Sequence, residues 1–250
     1  MNAEKLKRRD PLLAQISKGS RWLENDQFPS RIREKDITNW LEYIHSKNQF
    51  ERFLPRLKDV PAKRDEGLAE IYAAYFIEKC AGYPVTTWEP PGNNGKLGEF
   101  SFMFEGMEIF SEVKSPGWER EIVESEGPGS PRLKKAKYLP GDHGWFDNSD
   151  YVRGTVAKAY PKFPSYKPTL LVLVDDFKVS LSDDPIDMWK ALYKPNVGCF
   201  ATSEYCNLGA VAVVNMEKID PSFCVHHNPR ALEAVVLPKE VFAKYQQTVG

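Results

Sequence analysis

Apolar and polar side chains alternate most clearly between Gly98 and Lys114. Phe100, Phe102 and Phe104 fall on one side of an extended chain, and Glu99 and Ser101 on the other. Glu105-Gly106 interrupts the run and Met107 to Val113 resumes it. The pattern predicts two strands joined by a two-residue turn. With that turn Phe104 pairs with Met107, and Glu99 faces Glu112. Lys114, two residues beyond Glu112, shares its face. Like charges opposed across two strands repel, so this pair of carboxylates suits a bound cation.

The rest of the chain alternates between helical and strand patterning. Residues 1–60 read as helical: Pro11 to Ile16 is short and apolar, and Ile37, Trp40, Leu41 and Ile44 share one face behind an Asp36 cap. Phe50, Phe53, Leu54 and Leu57 form a third apolar face, which Pro55 is expected to bend or end. Arg31, Arg33 and Lys35 suggest a substrate-contacting arm; the plainer reading is a helical cap packed on the core. Residues 61–81 carry the strongest helical period, with Pro61 in the first turn and Gly82 as the stop. Glu66 and Glu70, four apart, share a face. Tyr83 to Glu89 reads as a strand, 149–163 as a helix closed near Pro161, and Thr169 to Val174 as a strand buried on both faces. Beyond it are expected a helix at 187–192, a buried strand at 209–215, a strand at 232–236 and a terminal helix at 238–245.

Composition narrows the class. The chain has 250 residues and a net charge of −1, so no overall basic character marks a nucleic-acid binder. The charge is uneven: residues 1–60 carry a net +4 and residues 61–114 a net −4. A locally acidic centre fits a cation site. The four cysteines, Cys80, Cys199, Cys206 and Cys224, have no CxxC or zinc spacing. Cys224-Val225-His226-His227 lacks an obvious fourth ligand. No apolar run is long enough for a membrane span, and the charged N-terminus has no apolar signal segment. A cytoplasmic protein is expected. Residues 115–148 hold a Gly- and Pro-rich stretch and a basic run (Arg132, Lys134, Lys135, Lys137) among Trp118, Tyr138, Trp145 and Phe146. That mixture suits a nucleic-acid strand or a solvated loop equally. His143 in the same stretch reads as incidental.

Glu112-Val113-Lys114 ends an apolar strand, with an acid thirteen residues earlier. This arrangement resembles the PD-(D/E)xK nuclease superfamily, which has the restriction-endonuclease-like fold. The helix–strand–strand–strand–helix–strand order over residues 61–176 extends the resemblance beyond the tripeptide. It implies an α/β chain: a central mixed β-sheet flanked by helices, with an N-terminal helical extension (1–60) before the nuclease domain (61–250). In that family the first acid and the Glu of ExK bind a divalent metal, while the Lys positions water or stabilises charge. By position these are Glu99, Glu112 and Lys114. The usual Pro-Asp is Gly98-Glu99 in this chain, which keeps the charge and adds a methylene. A Glu on the preceding helix often completes the cluster, which points to Glu70, with Glu66 second. A Lys on the following helix often faces the site, which points to Lys158, with Lys162 second.

The resemblance implies phosphodiester hydrolysis with Mg²⁺ or Mn²⁺, held by Glu99, Glu112 and Glu70. DNA is the expected substrate, with RNA open and a homodimer open. The alternative is a catalytically silent nuclease-fold protein that binds nucleic acid or serves assembly. A small-ligand enzyme is the third reading.

Overall fold

The computed structural model describes residues 11–17, 34–59, 61–115, 149–175, 185–215 and 223–245. The basic and aromatic stretch after Ser115, including His143, lies outside them, as do Arg31 and Arg33. Helices α1 (Pro11–Ser17), α2 (Glu34–Ser46), α3 (Phe50–Lys58) and α4 (Pro61–Tyr75) precede strands β1 (Val85–Trp88), β2 (Phe100–Phe104) and β3 (Met107–Lys114). Helix α5 (Ser149–Ala159), strand β4 (Thr169–Asp175), helix α6 (Pro185–Leu192) and strands β5 (Ala210–Asn215) and β6 (Phe223–His227) follow.

The six strands form one mixed sheet in sequence order. β1, β2 and β3 are antiparallel neighbours, β3, β4 and β5 are parallel, and β6 returns antiparallel. Parallel neighbours need helical crossovers; α5 lies in the connection from β3 to β4, and α6 in that from β4 to β5. The chain is therefore α/β, with a central mixed sheet flanked by helices.

Alternation along the central strands sorts the core into two layers. Leu170, Val172, Val174, Ala210, Ala212 and Val214 face α1 to α4. Leu171, Leu173, Val211 and Val213 face α5 and α6. Both faces are covered, which is why β4 reads as an unbroken apolar run. The described helices within residues 1–60 are not an appendage: Leu13, Ile16, Ile37, Leu41, Phe53 and Leu57 are buried in the same cluster as α4 and the sheet. Lys35 is exposed.

Several expectations are corrected. Helix α3 runs through Pro55 without ending there. The break comes instead at Asp59, whose extended backbone closes the helix. α4 gives way to a π-helical turn over Phe76–Cys80 in place of a continuous α-helix, while Gly82, at φ +81°, ends the helical stretch as expected. Leu232 to Val236 is not a strand; its centre is a 3₁₀ turn at Glu233–Val235. The expected terminal helix is a series of turns ending in a 3₁₀ turn at Ala243–Tyr245. There Val241 and Phe242 are fully buried, and the left-handed backbone of Phe242 (φ +61°) breaks any helix.

The β2–β3 hairpin has the expected register, from Phe104↔Met107 to Phe100↔Ser111. Its turn places Glu105 at φ +47° and Gly106 at φ +81°, a geometry that favours Asn-Gly. Glu105→Asn is therefore expected to stabilise the fold by about 0.5–1 kcal/mol, read as a rise in Tm of about 1–4 °C. An unchanged or lower Tm would contradict the turn assignment. In the core, Val172 has no exposed surface. Val172→Asp buries an unpaired charge at a cost of about 3–5 kcal/mol, and circular dichroism should show a largely unfolded protein.

Candidate active site

At the end of the sheet where β2 begins and β3 ends, four acidic and four basic side chains of the described residues meet. Glu112 lies on β3, on the face shared with Phe110 and Lys114. Its side chain has no exposed surface. Lys114 Nζ approaches Glu112 Oε1 to 2.5 Å. The two residues stand two apart on one strand face, so this contact follows directly from the pleat.

Glu99 lies immediately before β2. The expected Glu99↔Glu112 pair is not formed, because the ladder stops at Phe100↔Ser111. The Glu99 N–H donates to the Ser111 carbonyl at 3.0 Å, one residue short of Glu112. The two carboxylates are joined through a side chain instead: Lys162 Nζ lies 3.4 Å from Glu99 Oε1 and 2.6 Å from Glu112 Oε1.

Glu70 reaches the cluster from α4. It is buried and accepts two parallel hydrogen bonds from the Arg56 guanidinium, at 2.7 and 2.6 Å. Burial, followed by the nearness of Glu99, pushes its carboxyl up to about 7, even though Arg56 pulls the other way. Glu112 is raised too, by burial first; Glu99 adds to the shift, while Lys114 and Lys162 oppose it. For Lys162, burial lowers the pKa, and Glu112 and Glu99 more than reverse this, so its charge is held.

Of the residues expected from sequence, Glu70, Glu99, Glu112 and Lys114 come together. Two do not. Glu66 is half-exposed and pairs with Lys63 at 3.4 Å. Lys158 is exposed on α5 and is replaced by Lys162. The reason is local: α5 ends at Ala159, and the tighter 3₁₀ turn Tyr160–Lys162 rotates Lys162 toward the sheet.

Three further members were not expected. Arg52 on α3 reaches Glu99 Oε2 at 3.5 Å and Glu89 Oε1 at 3.3 Å, with its guanidinium over the rings of Phe53 and Trp88. Arg56, one turn on, holds Glu70. Arg52 and Arg56 are four apart beside a buried Phe53, so their shared face was the available signal. Glu89 follows β1 with a left-handed backbone, φ +51°, of the kind that gathers at functional sites.

Among the described residues Glu112 Oε2 has no hydrogen-bond partner. Neither lysine contact to Oε1 has hydrogen-bond geometry. Buried polar atoms are rarely left this way, and a carboxylate so placed is suited to holding a cation. As the side chains stand, no three His, Cys, Asp or Glu among the described residues converge closely enough to hold a metal ion. The donor set itself is right for a hard cation: carboxylates, with no thiolate or imidazole among them. Elsewhere, Cys224 Sγ and His226 Nε2 stand 3.3 Å apart on β6.

The Glu70 shift has a definite sign in stability. Its folded pKa, about 7, exceeds the ordinary value of 4.5, so the folded protein holds the proton more tightly. Stability contributed by Glu70 is full below about pH 4.5 and falls as pH rises through about 7, by roughly 2–4 kcal/mol. Urea midpoints at pH 5 and pH 8 should show the loss, and Glu70→Gln should narrow the difference. An equal difference in the variant would remove Glu70 as its source.

Set against known proteins, the chain matches no family model, no curated protein and no solved structure.

Proposed function

We propose that this chain is a metal-dependent nuclease of PD-(D/E)xK type, with a restriction-endonuclease-like core, that hydrolyses phosphodiester bonds in DNA. The observation that carries the reading is Glu112: fully buried, ionisable, with one carboxylate oxygen that has no hydrogen-bond partner among the described residues. A purely structural strand end would have no use for such a group, since a buried carboxylate without full compensation costs several kcal/mol. Its surroundings support the same reading. Lys114 completes the E-x-K geometry at 2.5 Å, and Glu99 and Glu70 flank it. The order α4, β1–β2–β3, α5, β4 is the order expected of that core.

Glu99 and Glu112 would hold Mg²⁺ or Mn²⁺, with Glu70 as the third carboxylate. A divalent cation in such a site lowers the pKa of bound water and draws charge from phosphoryl oxygens. The chain's own residues do the rest. Glu112 is held by strand pairing to β4, opposite Leu171, one residue beyond the last β2 pair, so its position is set by the sheet. Lys114 places an ammonium beside the reacting phosphate, where it orients the attacking water and stabilises developing negative charge. The buried walls lower the local dielectric and strengthen that effect.

A second reading, a nuclease-fold module that binds nucleic acid without cutting, is favoured by one observation. Arg56 grips both oxygens of Glu70, which withdraws that carboxylate from other work. A cleavage assay with Mg²⁺ and Mn²⁺ on linear, supercoiled and single-stranded DNA separates the two. Lys114→Ala should cut ~10²–10³-fold more slowly while still binding metal, because the ammonium is not a ligand. Glu112→Ala should lose both. Lys158→Ala, on the exposed face of α5, should cut like the parent. Parental cutting by Lys114→Ala would remove this site from the chemistry, whereas no cutting by the parent under any metal would favour the binding module.

A further inference from the structure

The ion pairs at the site form a closed account. Glu70, Glu89, Glu99 and Glu112 are matched by Arg52, Arg56, Lys114 and Lys162, linked through six contacts. Within this cluster the formal charge is zero. The bridging position between Glu99 and Glu112, which a shared cation would take, is held by Lys162 Nζ. Lys162 is also firmly seated. Its carbonyl oxygen fills the space beside Gly92 so closely that a Cβ there would come within 2.2 Å. Phe163, the next residue, is fully buried against Phe110 at a ring distance of 5.9 Å. The backbone is pinned, while the side chain retains some exposure and a long flexible stem.

We infer that Lys162 is the resting counter-ion of this site, occupying the metal's place until metal and a phosphodiester arrive together. The inference rests on the metal-dependent reading above and goes beyond it. Adding a dication to a balanced, buried cluster leaves an uncompensated positive charge, so metal alone binds weakly. A phosphodiester brings negative charge and acceptor oxygens. With the dication on Glu99 and Glu112, Lys162 Nζ is released and turns to the phosphate. Arg52 offers a second donor for the same anion: its buried Nη1 has no hydrogen-bond acceptor among the described residues. Metal and nucleic acid thus raise each other's affinity, as linkage requires.

The test is Mn²⁺ binding to the full chain without nucleic acid, by calorimetry, for the parent, Lys162→Met and Lys162→Arg. The expected result is Mn²⁺ bound on the order of tenfold more tightly by Lys162→Met and with parental affinity by Lys162→Arg, which keeps the charge. In a second arm, a short DNA duplex should tighten Ca²⁺ binding by the parent, and this gain should shrink in Lys162→Met. If Lys162→Met does not fold, Lys162→Gln, which keeps a polar group of similar reach, takes its place. Parental or weaker Mn²⁺ binding by the neutral variant overturns the counter-ion role. If the parent also cuts DNA, that result leaves the nuclease reading intact. Absence of Mn²⁺ binding in the parent and every variant, with and without duplex, overturns both.

Discussion

A carboxylate with no exposed surface must be compensated or neutralised, and the architecture around Glu112 follows from that requirement. At Glu112, β3 is paired to β4 but lies one residue beyond its last pair with β2, so the carboxylate stands at the end of the hairpin. Compensation has to come from along the strand face and from the end of the sheet. Lys114 supplies the first by strand period. Lys162 supplies the second, from a turn that ends a helix. Leaving either out would expose a buried charge to low dielectric, where the cost of an unmatched ion exceeds the gain from one salt bridge on the surface.

The helical layer ahead of the sheet has two duties that share one helix. α3 buries Phe50, Phe53 and Leu57 and projects Arg52 and Arg56 from the adjoining face into the acidic cluster. The packing of Phe53 against Trp88, at 5.8 Å between ring centroids, fixes where α3 sits over β1. It therefore fixes how far the two guanidinium groups reach. The apolar contact sets the position, and the ion pairs then form without further ordering of backbone. Cutting the chain at residue 60 would remove part of the core and half of the positive charge at the site in one step.

What the sequence made legible was what local rules govern. Period-2 alternation and a Glu-Gly turn gave the β2–β3 register to the residue, and the helical period gave α4, while the choice of Glu70 on it came from the family resemblance. Long-range geometry was less accessible. The choice between Lys158 and Lys162 turned on where α5 gives way to a 3₁₀ turn, and helix ends are where pattern is weakest. The last pairing of β2 with β3 slipped because the Glu99 N–H found the Ser111 carbonyl, a local irregularity without a sequence mark. Arg52 and Arg56 showed a shared helical face in the sequence, but that the face meets the acidic cluster depends on the docking of α3. At the C-terminus, the apolar positions 235, 237, 241 and 242 were buried as expected of core residues. They get there in turns and not in a strand and a helix, because tertiary burial needs no regular secondary structure when backbone groups find other partners.

The Gly98-Glu99 pair, where the resembled family has Pro-Asp, has a physical cause in this chain. The Gly98 N–H donates to the Pro90 carbonyl at 2.9 Å, a bond proline could not make. The missing Cβ is also required, since one built at position 98 would stand 2.4 Å from the Phe110 ring. That ring is not free to retreat, being fully buried against Phe163, the residue after Lys162. Phe110 is itself two residues before Glu112 on the same face of β3. One aromatic side chain thus sets the backbone approach of Glu99, the seat of Lys162 and the packing beneath Glu112. With the backbone at 98 drawn onto this ring, the longer Glu side chain supplies the reach by which residue 99 meets Lys162 on one side and Arg52 on the other. Glycine at 98 is thus required by the packing on Phe110, and the acidic group that follows it arrives beside Glu70 and the lysine that bridges to Glu112.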